Sequence, residues 1–123
     1  ALSVLAPVVS DAVPGQVVID AGVKALGREP IRARDGGGYG AVLDHPEVSV
    51  ARMSEEHGIL DLSDSLWRPE VGEQVRIVPN HACVVTHLFD AMLGVRGDLV
   101  ETWWHIGARG RHSPELAPAP LSI

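Results

Sequence analysis

One cysteine, Cys83, stands in 123 residues, so an internal disulfide is excluded. Its thiol is either free or a ligand, which suits a reducing compartment, and the expected location is the cytoplasm. Basic residues are scarce: ten Lys and Arg against sixteen Asp and Glu leave a formal charge of -6. Nucleic acid and anionic membrane surfaces are gripped by clustered cations, so neither is an expected partner. The chain has no run of about 18 apolar residues and its first residues lack the basic segment of a secretory signal, so neither a spanning helix nor a signal peptide is expected within it. Asp35-Gly36-Gly37-Gly38 lacks a following helix, so it reads as an exposed loop and not a phosphate cradle. No repeat or internal linker is visible. The first residues, ALSVLAPVVS, lack Met and already lie inside a strand-like run, as expected of a segment of something longer.

What is present points to β structure. Val and Ile are abundant, thirteen Gly are spread along the chain, and short apolar runs alternate with turn residues. Expected strands cover 2–10, 16–20, 40–43, 48–54, 59–62, 74–79, 91–96 and 99–106. Val13-Pro14-Gly15-Gln16 has the composition of a type II turn, and Arg96-Gly97-Asp98 that of a hairpin connection. Short helices are expected at 22–26 and after Asn80, which would cap the second. The expected fold is therefore mostly β, a closed or partly open barrel or sandwich with one or two short helices. One domain over 1–112 and an extended Pro-rich tail over 113–123 complete the layout. A chain of this length buries roughly two-thirds of its unfolded surface.

Chemistry concentrates in VRIVPNHACVVTHLFD, where His81 and Cys83 follow a strand end. Within a helix, side chains two apart point about 200° from each other, but in an extended or turn conformation they can share an ion. Imidazole and thiolate together suit Zn²⁺ better than Mg²⁺ or Ca²⁺. Two ligands do not close a structural site. Either the site is open or His57, His87 or His105 joins, and spacing does not choose among them. An ordinary loop with a buried thiol fits the same residues.

Three other features stand out. Met53-Ser54-Glu55-Glu56-His57-Gly58 puts an imidazole beside two carboxylates, which can orient a base or simply form a solvated turn. Lys24, the sole lysine, invites a Schiff-base role or a structural pairing with Asp20 or backbone. Trp103 and Trp104 are adjacent in a strand, so one can face the core while the other packs outside or against a partner, and an exposed Trp would suggest an interface.

Taken in order, DAGVKAL, MSEEHGIL, VGEQVRIVPNHACVVTHLFD and GDLVETWWHIGARGR resemble the C-terminal β domain of the D-serine dehydratase and D-threonine aldolase family, whose members are pyridoxal-phosphate enzymes of the alanine-racemase fold type. The resemblance runs from about Leu2 to Arg111, and P-N-H-x-C is its most specific element. It implies a two-domain enzyme in which an N-terminal (β/α)₈ barrel carries pyridoxal phosphate on a lysine. Lys24 does not match that cofactor lysine. His81 and Cys83 match the family's metal ligands, and Cys at the second position leans towards the dehydratase type and zinc, with manganese an alternative. His87 departs from the Asn that is more frequent there.

The implied activity is D-serine dehydration or D-threonine retro-aldol cleavage, by a protein inactive without its barrel and expected to be a homodimer. His57 becomes a candidate active-site residue, lining the pocket or orienting a ligand. Two other readings account for the same chain: a stand-alone β-barrel metal-binding or interaction module, and a metal-free amino-acid racemase relative.

Overall fold

The computed structural model describes residues 1–31 and 38–111. Along them run β1 (Val4–Ser10), β2 (Gln16–Ile19), α1 (Val23–Leu26), β3 (Gly40–Val42), β4 (His45–Met53), β5 (Gly58–Asp61), β6 (Gln74–Pro79), α2 (Ala82–Leu88), β7 (Ala91–Arg96) and β8 (Leu99–His105). Each expected strand and both short helices are present. The tail at 113–123 and the glycine loop, Gly38 excepted, lie outside the described residues.

The first six strands close into a barrel in the order β1-β2-β5-β4-β3-β6, with every neighbouring pair antiparallel. Period-2 alternation drives this closure. Val4, Ala6 and Val8 of β1 point inward while Leu5 and Val9 face out, and Val17/Ile19, Val48/Val50 and Val75/Ile77 repeat the pattern. The largest fully buried side chains are Ile19, Leu60, Leu62, Ile77, Val8, Val48 and Val50, all aliphatic. Each contributes about 1.5–3 kcal/mol by leaving water. Register shifts between Val8 and Ser10, Ala41 and Val42, and Val50 and Arg52 bend the strands so that the sheet can curl and close. The turn before β2 is as expected: Gly15 has φ 80° and the Gln16 N–H donates to the Val13 carbonyl at 3.3 Å.

β7 and β8 stay out of the barrel and form a separate two-stranded sheet, turned at Gly97 with φ 59°. Neither Trp faces the core: Trp103 is 61% and Trp104 53% exposed, because no barrel wall stands against the hairpin. The Trp104 ring instead lies over Gly94, where an added Cβ would come within 2.7 Å of it.

Because neighbouring strands are antiparallel, β2, β4 and β6 run in one direction and finish at the same end of the barrel. Everything that follows those three strands is gathered there: α1, the turn at 54–57, and the junction leading into α2. At the other end His45 stacks on Trp67, with ring centroids 4.3 Å apart and planes 15° from parallel.

Candidate functional site

α1 is fastened to the turn between β4 and β5. The N–H groups of Val23 and Lys24 donate to the carbonyls of Ser54 and Glu55 at 3.0 and 3.2 Å. Only glycine permits this approach, since a Cβ on Gly22 would lie 2.6 Å from the His57 nitrogen. Lys24 Nζ then donates to Glu56 Oε1 at 2.5 Å. That hydrogen bond, reinforced by the Glu56 charge, holds Lys24 above the usual lysine range. The partner of Lys24 is thus Glu56, and neither Asp20 nor backbone. It was invisible in sequence because the pair is 32 residues apart.

Glu56, engaged by Lys24, does not orient His57. His57 is exposed, its N–H donates to Ser54 Oγ at 3.2 Å, and its carbonyl accepts the Ser54 N–H at 2.8 Å.

At the exit of β6 the expected cap is replaced by another. His81 occupies the N-cap position of α2 in extended backbone, φ -139° and ψ 100°, with no side-chain capping bond. Asn80 turns its amide the other way, Nδ2 donating to the carbonyls of Glu29 at 2.7 Å and Gly38 at 2.8 Å. The Glu29 carbonyl, and the Gly38 carbonyl that also accepts the Ile31 N–H at 3.1 Å, take the donor that a helix terminus would otherwise have used.

The Glu29 carbonyl held by Asn80 belongs to the residue whose carboxylate meets His81: Nδ1 lies 3.0 Å from Glu29 Oε1, with the side chains 41% and 58% exposed. Cys83, two residues on, is an exposed free thiol in the first turn of α2. Val85, 3% exposed, roots that helix in the core. Since His81 precedes the helix, the 200° separation of helical i and i+2 positions does not apply to this pair.

Among the described residues no three His, Cys, Asp or Glu side chains converge to hold a metal, so His57, His87 and His105 do not complete a cluster with His81 and Cys83. His105 lies instead beside Trp103 on the hairpin, centroids 6.0 Å apart. The donors nonetheless suit zinc in an open site. The imidazole has one nitrogen facing a carboxylate and the other turned elsewhere, the thiol is accessible, and zinc tolerates positions filled by water or substrate. The soft sulfur donor disfavours manganese, which prefers oxygen. Glu29 was missed in sequence. It stands 51 residues from Asn80, and no local spacing points to it.

Fold and site together define an antiparallel barrel domain that presents an imidazole and a thiol at one open end. The chain belongs to the family described as "Putative serine dehydratase domain", which matches residues 1–95. It is 36% identical to an uncharacterized protein of Mycobacterium tuberculosis over 91% of this chain and 86% of that protein. It is 33% identical to the D-threonine aldolase of an Arthrobacter species over 89% of this chain but 27% of the enzyme.

Solved structures agree. The D-threonine aldolase of Filomicrobium marinum superposes with a TM-score of 0.73 at 36% identity, covering 88% of this chain and 28% of that one. The D-threo-3-hydroxyaspartate dehydratase of Delftia sp. gives 0.68 at 35% identity, covering 85% and 32%. The chain therefore spans about a third or less of the enzymes it matches. The Delftia enzyme is also known as a metal-free variant with one cysteine changed to alanine, and as a variant with a histidine changed to alanine two positions before that cysteine. No helix among the described residues is long and apolar enough to cross a membrane.

Proposed function

We propose that this chain is the metal-bearing domain of a pyridoxal-phosphate lyase for D-β-hydroxy amino acids, with His81 and Cys83 as zinc ligands and a partner (β/α)₈ barrel carrying the cofactor. The observation that carries the reading is the pairing of His81 Nδ1 with Glu29 at 3.0 Å beside the exposed Cys83 thiol. The likeness to a dehydratase whose histidine and cysteine variants share this two-residue spacing, one of them metal-free, supports it. Cys83 favours dehydration of a D-serine-like substrate over retro-aldol cleavage.

Zinc bound here supplies a Lewis acid for the substrate's β-hydroxyl oxygen, while pyridoxal phosphate on the barrel supplies an electron sink. The chain's own residues hold and orient. His81 presents its ring from the end of β6, Cys83 offers its sulfur from a helix rooted by Val85, and their exposure leaves room for substrate. His57, exposed at the same barrel end, is proposed as a residue lining the pocket that a barrel partner would close. A homodimer would bring such a partner.

Metal analysis of the purified full-length protein tests the proposal. We expect about one zinc per chain, lost in His81→Ala and in Cys83→Ala. Protein with both residues intact that binds neither zinc nor manganese would refute it, and would favour the metal-free racemase relative.

A second reading, a metal-binding module without catalysis, draws on the match to most of a short mycobacterial protein. Release of pyruvate from D-serine, or of aldehyde from D-threonine, by the full-length protein supplied with pyridoxal phosphate separates the two.

A further inference from the structure

We infer that Glu29 is a positioning residue for the metal: its carboxylate accepts the Nδ1 proton of His81 and so reserves Nε2 as the metal donor. This rests on the proposed metal role of His81 and Cys83.

A neutral imidazole carries one proton and can place it on either nitrogen, and the partner of one nitrogen decides which lone pair is offered to a ligand. Free histidine in water mixes both forms. Here Glu29 Oε1 stands at an ion-pair distance of 3.0 Å from Nδ1, close enough for a small turn of the ring to aim its N–H at the carboxylate. A carboxylate lacks a proton to give, so the ring nitrogen facing it must be the donor.

The carboxylate is itself held in place. Asn80, the residue before His81, donates to the Glu29 carbonyl at 2.7 Å and to the Gly38 carbonyl at 2.8 Å. The backbone that bears Glu29 is thereby tied to the strand exit that bears His81, and the carboxylate has little distance left to span. Glu29 acts on the ring and is not a third ligand, since no three such side chains converge among the described residues. Carboxylates placed this way behind ligating histidines raise ligand basicity and fix ring orientation, and their loss typically costs about 10–100-fold in metal affinity.

Two measurements on the full-length protein test this. Zinc affinity by competition with a chromophoric chelator should fall about 10–100-fold in Glu29→Ala. It should be partly restored in Glu29→Gln, which keeps an acceptor oxygen without the charge. Nitrogen NMR of the zinc-free protein, with the imidazole neutral, should show His81 protonated on Nδ1 in the parent and shifted towards Nε2 in Glu29→Ala.

Wild-type affinity in Glu29→Ala, or a parent His81 already protonated on Nε2, overturns the inference. His81→Ala and Cys83→Ala serve as controls that keep the two readings apart. If they bind zinc like the parent, the metal site itself is wrong. If they lose zinc while Glu29→Ala keeps it, only the role of Glu29 is wrong. Should Glu29→Ala fail to fold, Glu29→Gln and the parent tautomer still decide.

Discussion

Gly27 and Val84 meet where the two helices touch: a Cβ at Gly27 would lie 2.7 Å from Val84 Cγ1. Gly27 also ends α1 with φ 71° and ψ -177°, a conformation essentially reserved for glycine. α2, which carries Cys83, is thus seated directly on the end of α1.

Gly27→Ala should therefore combine backbone strain with a clash against a neighbour rooted in the core. We expect a loss of about 1–3 kcal/mol from the strain alone, read in urea unfolding. Gly97→Ala, at a hairpin tip with open space around it, should cost less and leave the barrel untouched.

Asn80→Ala removes both bonds that tie the Glu29 and Gly38 carbonyls to the β6 exit. The Gly38 carbonyl keeps the Ile31 N–H at 3.1 Å and Glu29 is an exposed residue, so the loss is that of ordinary hydrogen bonds, about 0.5–1.5 kcal/mol each. Hydrogen exchange should report the loss locally, as faster exchange in α2 and around residue 38 before the rest of the barrel.

Asp61 predicts an acid limb of stability. The Ser63 N–H donates to its Oδ1 at 2.9 Å, and this bond, joined by the Ser63 hydroxyl and opposed by burial, holds the carboxyl below its ordinary 3.8. A carboxyl depressed in the folded state stabilises fully above its unfolded value and loses that contribution as pH falls through the folded one. Melting temperatures of the parent and Asp61→Asn should differ at neutral pH and converge as pH falls below 3.8. A gap that stays constant down to strongly acid pH would contradict the assignment.

Ile77→Ala truncates a side chain with no exposed surface on β6, the strand that leads to His81. Core deletions of this type cost about 2–5 kcal/mol, so chemical unfolding should shift by that amount. Leu66→Ala, at 99% exposure, should change almost nothing.

The strands were legible because alternation of Val, Ile and Leu with polar or small residues needs only local sequence, and β6 spans the expected 74–79. The H-x-C pair was legible for the same reason, its members being neighbours in the chain. Asn80 was misread as a cap because capping is the local option, and the competing carbonyls of Glu29 and Gly38 come from far away in sequence. Lys24 was misread likewise, its partner Glu56 arriving through a turn 32 residues on.

By itself the amino-acid order determined which residues alternate inward, where glycine and proline turn the chain, and that an imidazole and a thiol sit together past a strand. Only the tertiary structure decided that six strands close while the hairpin with both exposed Trp stands apart, and that α1, the 54–57 turn and the α2 junction share one barrel end. Period-2 patterning assigns a residue to a face, whereas partners across a barrel are chosen by register and closure, which depend on the whole chain at once.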